Sequence, residues 1–146
     1  MNFERIDPIL SFKELSQVIA LDHNFMTYPW SEKQWKSIEE KNYALYIAKS
    51  GPILAFALYQ LSPAESLAHL LKIVVAPTQQ GVVSSSFFAM QKNSLSSLGL
   101  SRIYLEVSEK NLRAQQFYKK MGFELLRVAK NYYTDGSQAL MMQLHL

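Results

Sequence analysis

The alternation of strand-like and helix-like segments between residues 66 and 122 constrains the fold more than any other feature of the sequence. The apolar run SLAHLLKIVV leads through a loop into a helix predicted over residues 83–98, which Gly99 ends. SRIYLEV then predicts a strand, and LRAQQFYKKM predicts a helix that Gly122 ends. Strands joined through helices indicate crossover connections, so we expect an α/β fold with a mixed sheet.

Hairpins and further helices complete this unit. YALYIAKSGPILAFALYQL predicts two strands around an S-G-P turn, and FELLRVA and ALMMQLHL predict two more around a D-G turn. Capping boxes at Ser11 and Ser31 predict helices over 11–22 and 31–40. The expected order is β-α-α-β-β-β-α-β-α-β-β. Because the sequence shows no repeat or linker, we expect a single domain over residues 1–146.

The composition is that of an ordinary globular protein, with 49% apolar residues, 18% charged residues and a net charge of +3. The lack of cysteine excludes a disulfide framework and thiolate chemistry. The apolar runs are too short to span a bilayer, and MNFERIDPILSFKEL does not have the pattern of a signal peptide. We therefore expect a cytoplasmic protein that binds neither membranes nor nucleic acid directly.

The loop APTQQGVVSSSFFAM, residues 76–90, joins a predicted strand to a predicted helix and carries no charge. The first backbone N–H groups of a helix have no intrahelical partners and can bind a pyrophosphate. The small residues Gly81, Ser84 and Ser85 would let a ligand approach the backbone. The alternative is a plain connector, which the loop taken alone favours because strand–loop–helix units are common.

Two polar side chains stand in apolar segments of the C-terminal half. Glu106 interrupts an apolar strand, so it lies either on a solvated face or in a cleft, where burial disfavours the charged form. Tyr118 shares an apolar helical stripe with Ala114, Phe117 and Met121. That pattern favours a core tyrosine whose hydroxyl reaches the edge of the core.

LEVSEKNLRAQQFYKKMGF follows, without a gap, the pattern L-E-V-x-x-x-N-x-x-A-x-x-x-Y-x-x-x-G-F of the GCN5-related N-acetyltransferase (GNAT) family, which the chain therefore resembles. Three further segments, KNYYTDGSQALMMQL, YPWSEKQW and KIVVAP, are similar to its RimI branch, which acetylates the N-terminal alanine of a small-subunit ribosomal protein. The resemblance covers nearly the whole chain. It implies a mixed, mostly antiparallel sheet with helices on both faces and a splayed cofactor cleft.

This resemblance implies direct acetyl transfer from acetyl-coenzyme A to an amine, with Glu106 as general base and Tyr118 as general acid. The implied cofactor-binding residues are Ile73, Val74, Val75, Gln80, Gly81, Val82, Val83, Ser84, Ser85, Asn111 and Tyr118. The implied walls of the acceptor site are Tyr28, Pro29, Trp30, Tyr132 and Tyr133. No metal is implied.

The phosphate loop departs from the family's Q/R-x-x-G-x-G/A pattern. Counted from Pro77 without a gap, Gln80 takes the first position, but Val83 and Ser85 take the two small positions. The familiar basic residues beside the motif are absent. This departure motivates an alternative in which the chain is a non-catalytic acyl-coenzyme A-binding protein.

The acceptor is open between a protein N-terminus and other amines. An α-amine has a pKa of about 8, whereas a lysine amine near 10.4 needs about 3 kcal/mol more for deprotonation at neutral pH. This difference favours the N-terminal α-amine of a protein, such as a ribosomal protein. It leaves a lysine or a small-molecule amine as the alternative acceptor.

Histidines and basic residues complete the set of candidates. His69 lies near the start of a predicted strand, where many family members carry a glutamate that assists the base, and an imidazole could take that part. A strand-edge histidine without a role is the more common case. His23 and His145 show no metal-ligand spacing. Four basic residues lie in or beside the second predicted crossover helix: Lys110, Arg113, Lys119 and Lys120. Such a set is typical of a solvated helix face. The alternative is that one of them contacts the phosphates of the cofactor.

Overall fold

A computed structural model describes residues 1–6, 11–40, 42–81 and 83–146. The order of strands and helices within these residues is the predicted one. The elements are β1 (Asn2–Ile6), α1 (Phe12–Phe25), α2 (Glu32–Lys36), β2 (Tyr43–Lys49), β3 (Ile53–Ser62), β4 (Leu67–Val75), α3 (Ser84–Ser97), β5 (Arg102–Ser108), α4 (Leu112–Lys120), β6 (Glu124–Ala129) and β7 (Ala139–His145).

The first two helices begin at the predicted caps but differ from the predicted lengths. The Ser31 capping box is complete, since its side chain and that of Gln34 each accept a backbone N–H of the other residue. α1 continues to Phe25, three residues beyond the prediction. The segment predicted as helix 31–40 is α-helical only over Glu32–Lys36 and then tightens into a 3₁₀ turn. There the Ser37 hydroxyl donates to the Gln34 carbonyl, a local bond that competes with a regular helix.

The strands form one sheet in the order β1-β2-β3-β4-β5-β7-β6, in which β4 and β5 are parallel and the other neighbours are antiparallel. The parallel pairing is short and ends where His69 faces Tyr104. Just beyond this point β4 has a bulge, because Leu58 faces Lys72 whereas Tyr59 faces Leu70. A bulge bends a strand and increases its twist. β4 and β5 are therefore no longer paired beyond His69, which confirms the predicted splayed cleft.

Helices cover both faces of the sheet, as predicted. Along β2, Tyr46 packs into a core with residues of α3 and α4, whereas Leu45 and Ile47 pack with residues of α1 and α2. This division follows from the strand period of two, which sends successive side chains to opposite faces. No helix in the described part of the chain is long and apolar enough to cross a membrane.

Candidate active site

Two adjoining cavities lie along the gap between β4 and β5. The larger cavity, about 740 Å³, is bounded by β4, β5, the loop after α1 and the connection between β6 and β7. The smaller cavity, about 440 Å³, is bounded by the end of β4, the start of α3 and α4. Ile73, Asn111, Ala114 and Tyr118 line both cavities. The two spaces therefore meet between β4 and α4.

Glu106 lies in the cleft rather than on a solvated face. In β5 the side chains of Leu105 and Val107 are buried in the core, and Glu106 points to the opposite face, where it lines the larger cavity with its side chain 18% exposed. Its Oε2 is 2.7 Å from His69 Nε2. His69 pairs with Tyr104, the last residue of β5 that is paired with β4. Glu106 is two residues further along β5 and therefore lies on the same face, so the imidazole reaches it diagonally.

Tyrosine hydroxyls surround the Glu106 carboxylate. Burial, followed by the negative charge of Glu106, raises the pKa of Tyr104 and of Tyr132. Burial and the neighbouring Tyr132, with a further contribution from Glu106, raise the pKa of Tyr133 to about 12. These hydroxyls therefore keep their protons at neutral pH and can act as hydrogen-bond donors toward a carboxylate.

Tyr118 lies where the two cavities meet. Asn111 caps the start of α4 by accepting the N–H of Ala114 at 3.1 Å, and Tyr118 follows on the inner face of this helix. The Tyr118 ring packs against Phe117 and Phe123, with centroids 5.7 and 5.4 Å away. Burial raises the pKa of the Tyr118 hydroxyl far above its usual value of about 10. The side chain therefore belongs to the core, lines both cavities and keeps its hydroxyl proton at neutral pH.

The end of β4 offers backbone groups to the gap. Ala76 donates its N–H to Leu54 on β3 at 2.8 Å. Since backbone groups alternate in direction along an antiparallel strand, those of Val75 and Ile73 point away from β3 toward the gap. The Val75 carbonyl accepts a hydrogen bond from Gln80 Nε2 at 3.1 Å. Val74 also lines the smaller cavity.

The start of α3 has no side-chain cap among the described residues. Among the described residues, the first helical hydrogen bond runs from the Phe87 N–H to the Val83 carbonyl, so within that part of the chain the N–H groups of the first turn have no helical partner and can bind a ligand. Gly81 precedes the helix with a φ of +87°, a conformation that glycine adopts without strain. Gly81, Ser84 and Ser85 line the smaller cavity, as does Gln80.

Two residues predicted to bind the cofactor do not contribute to the described lining. Val83 is almost fully buried in the core, and its N–H donates to the Gln79 carbonyl at 3.1 Å. The valine therefore contributes packing instead of a wall of the cavity. Val82 lies outside the described residues.

The predicted acceptor residues converge only in part. Tyr28, Trp30 and Tyr133 line the larger cavity. Tyr132 does not belong to the lining and packs against Tyr133 with ring centroids 4.9 Å apart. Pro29 is exposed and does not belong to the described lining.

Sequence reasoning missed Asp22 and Lys72, which form a buried ion pair with 2.8 Å between Oδ1 and Nζ. A signal for Lys72 was present in LLKIVV, because the lysine stands in an otherwise apolar strand and alternation places it on the same face as Val74, which is buried. A buried cation requires a partner of opposite charge. That partner lies 50 residues away in sequence, so the pattern of the strand alone could not identify it.

Asp135 and three of the four basic residues line the cavities, whereas Lys119 does not belong to the described lining. Arg113 and Lys120 line the smaller cavity, and Lys110 lines the larger one. Hydrogen bonds from Ser137, together with one from Lys110, lower the pKa of Asp135 to about 2. Among the described residues, no group of three or more histidine, cysteine, aspartate or glutamate side chains could hold a metal ion.

Comparison with known proteins matches this architecture to one family. The "[Ribosomal protein bS18]-alanine N-acetyltransferase" of Haemophilus ducreyi is 29% identical over 139 residues, which cover 92% of this chain and 95% of the relative. The crystal structure of the ribosomal-protein-S18-alanine N-acetyltransferase from Escherichia coli superposes with a TM-score of 0.83 at 26% identity, covering 99% of this chain and 94% of that one.

A structure of the NatC complex bound to Gag peptide and CoA shares the fold, with a TM-score of 0.79 at 17% identity, covering 100% of this chain and 99% of that one. The Acetyltransferase (GNAT) domain family matches residues 2–143. That match spans nearly the entire chain, which therefore belongs to the GNAT family and is an acyltransferase of the N-acetyltransferase type.

Proposed function

We propose that this N-acetyltransferase uses acetyl-coenzyme A to acetylate the N-terminal α-amine of a protein. The observation that carries the proposal is the placement of Glu106 and Tyr118. Glu106 lines the larger cavity, and Tyr118 lines both cavities where they meet. A base on the acceptor side and an acid at the junction are the groups that acyl transfer from a thioester to an amine requires. The single-domain organisation and the cytoplasmic location stay predictions.

The smaller cavity fits acetyl-coenzyme A by the chemistry of its donors. Backbone N–H groups, which need no particular side chain, come from the start of α3, which has no side-chain cap in the described part of the chain, and from the edge of β4 beyond its pairing with β5. Positive charge comes from α4, where Arg113 and Lys120, two helical turns apart, line the same cavity. The altered phosphate loop is therefore compatible with a pyrophosphate. When bound, acetyl-coenzyme A supplies an acetyl group activated as a thioester.

The residues of the cleft would divide the proton transfers of the reaction. Glu106 accepts a proton from the acceptor amine, directly or through one water molecule. As the amine nitrogen forms its bond to the acetyl carbon and the carbon–sulfur bond breaks, Tyr118 donates its hydroxyl proton to the departing sulfur. The backbone N–H groups of Ile73 and Val75, which point into the gap, would stabilise the negative charge that develops on the carbonyl oxygen.

The larger cavity suits a chain terminus. Tyr28 Oη is 2.8 Å from Thr134 Oγ1, so the loop after α1 and the connection between β6 and β7 are bridged across its rim. Glu106 and the surrounding tyrosine hydroxyls offer acceptors to an amine. An α-amine is easier to deprotonate than a lysine amine. Since the relative from Haemophilus ducreyi is named for a ribosomal protein's alanine, we propose an N-terminal alanine of a ribosomal protein as acceptor.

The first experiment compares acceptors directly. The purified protein, acetyl-coenzyme A and a peptide with the N-terminal sequence of ribosomal protein bS18 are expected to yield a peptide with one additional acetyl group on its α-amine. Mass spectrometry with fragmentation locates that group. The matched control is the same peptide with a blocked N-terminus and a free lysine.

The outcomes of this comparison separate the candidate functions. Acetylation of the lysine alone, or of small amines alone, would show that the proposed acceptor is wrong. No transfer to any acceptor, together with coenzyme A binding in calorimetry, would identify a non-catalytic acyl-coenzyme A-binding protein.

His69 is expected to support Glu106 through the 2.7 Å contact. His69→Phe removes that partner and should lower kcat/KM about tenfold, since a hydrogen bond to a charged group contributes about 1.5–3 kcal/mol. His69→Gln keeps a donor and should retain most of the activity. Steady-state kinetics of both variants measure the difference, and equal activity of the two would mean that the contact has no role in catalysis.

A further inference from the structure

An ion pair is buried beneath the loop of residues 26–30, here called the α1–α2 loop. Lys72 Nζ on β4 lies 2.8 Å from Asp22 Oδ1 on α1, and the two side chains are 4% and 0% exposed. Burial of two charges carries a desolvation penalty of several kcal/mol per ion, and well-packed apolar residues often stabilise a fold equally well or better. Stability alone is therefore a weak reason for this pair.

Both members of the pair also hold the α1–α2 loop and the start of α2. Lys72 Nζ donates to the Tyr28 carbonyl at 3.0 Å and lies 5.7 Å from the centre of the Trp30 ring. Asp22 Oδ2 accepts the Trp30 N–H at 2.8 Å and the indole N–H of Trp35 at 3.0 Å. Hydrogen bonds to ionised groups are about twice as strong as neutral ones. The pair therefore fixes the loop backbone at two points, the Tyr28 carbonyl and the Trp30 N–H.

The loop held in this way forms one wall of the larger cavity. Tyr28 and Trp30 both line that cavity. The Tyr28 ring is stacked on Tyr133, with centroids 6.4 Å apart and planes only 2° from parallel, and its hydroxyl bonds Thr134. The Tyr28 side chain is nevertheless exposed, whereas Trp30 packs against Trp35 and the core. At Tyr28 the loop is therefore held mainly by its polar contacts and by the ring of Tyr133.

We propose that the Asp22–Lys72 pair is a positioning device that fixes the α1–α2 loop and thereby sets the affinity for the acceptor peptide, an inference that rests on the proposed N-terminal acetyltransferase function. The pairing has a second effect. Lys72 itself lines the larger cavity, and its contact with Asp22 neutralises a charge that would otherwise repel a protonated amine. The pair acts through the loop and takes no part in proton transfer.

The double variant Asp22→Asn/Lys72→Met tests this role without leaving an unpaired buried charge. The asparagine oxygen can still accept from Trp30, but the Tyr28 carbonyl loses its ammonium partner. We expect KM for the acceptor peptide to rise about tenfold, the value of one hydrogen bond to a charged group. We expect kcat at saturating peptide and the Kd of coenzyme A to change less than about twofold.

Lys36→Met is the matched control, because it removes an exposed lysine that pairs with Glu32 at 3.0 Å, outside both cavities. Its KM should equal that of the wild type. If the double variant does not fold, Asp22→Asn alone weakens the same anchor, and its KM should change in the same direction.

Tryptophan fluorescence gives a readout that does not depend on activity. The chain has two tryptophans, and both bond Asp22. Trp35 is fully buried, whereas Trp30 lies in the loop and is partly exposed. Loss of the Lys72 ammonium from the Tyr28 carbonyl and from its place 5.7 Å from the centre of the Trp30 ring should therefore increase acrylamide quenching of Trp30 in the double variant, while Trp35 stays protected.

The combined results decide the inference. A raised KM together with raised quenching supports it. An unchanged KM would overturn it, and so would a raised KM with unchanged quenching, because the loop would then not be the cause. If the wild type acetylates no peptide, the proposed function fails, whereas unchanged quenching separately shows that the pair does not hold the loop.

Discussion

Glu106→Gln is expected to lower kcat at neutral pH by about 10²–10⁴-fold, the usual contribution of a general base. The amide keeps the size of the side chain and an oxygen near His69, but it cannot take a proton. The fold and the Kd of coenzyme A should remain unchanged, because Glu106 lines the larger cavity and not the smaller one. Single-turnover kinetics with saturating acetyl-coenzyme A and peptide measure the loss at the chemical step.

The pH dependence of this defect distinguishes a base from a binding group. An N-terminal α-amine has a pKa of about 8, so at about pH 9 most of it is already neutral. The ratio of wild-type to variant kcat should therefore shrink as the pH rises. Glu124→Gln is the control, since that carboxylate is exposed on the edge strand β6. A variant ratio for Glu106→Gln that stays near one at pH 7 would remove this residue from the proposed mechanism.

The order of elements was predictable because its signals are local. Periodicity, capping boxes and glycines at helix ends act within a few residues, and the structure has the expected succession of strands and helices. The length of α2 was not predictable in the same way. The 3₁₀ turn at Ser37 accompanies a hydrogen bond from the Ser37 hydroxyl to the Gln34 carbonyl. The hydrophobic periodicity of residues 31–40 does not indicate that bond.

The cleft itself was predicted from the family resemblance and not from local patterns. Its cause is the end of parallel pairing at His69 together with the bulge beside Leu70 and Lys72, and both depend on the register between strands distant in sequence. Register also decides that His69 meets Glu106. The sequence around His69 does not indicate this contact, because it depends on how β4 and β5 are aligned.

The two missed residues show a different limit. Lys72 stands within an apolar strand, where a buried cation requires a counter-charge, but the pattern of the strand does not say which acid supplies it. Asp22 is fully buried in α1 and meets β4 only because α1 packs on that face of the sheet. The ion pair depends on how α1 packs on the sheet, so neither the sequence of α1 nor that of β4 predicts it alone.

Tyr118→Phe is expected to lower kcat by about 10²-fold or more, because it removes the proposed proton donor to the departing sulfur. Burial raises the pKa of this hydroxyl, so it is protonated below that pKa and loses its proton only as the pH rises through it. Tyr118 should therefore cause no decline of wild-type kcat up to about pH 9.5. Measurements of kcat up to about pH 9.5 for the wild type and Tyr118→Phe test both the role of the hydroxyl as proton donor and the expected lack of a decline at high pH.

The melting temperature of Tyr118→Phe shows whether its loss of activity comes from core packing or from the missing hydroxyl. Phenylalanine keeps the ring contacts with Phe117 and Phe123, so the melting temperature should change little. Tyr46→Phe is the matched control, since it removes another buried hydroxyl, which bonds Ser94 outside both cavities. If the two variants lose activity equally, the effect of Tyr118→Phe comes from core packing. If only Tyr118→Phe loses kcat while KM for acetyl-coenzyme A stays constant, the hydroxyl acts in the chemical step, because an interaction made only in the transition state changes kcat and not ground-state binding.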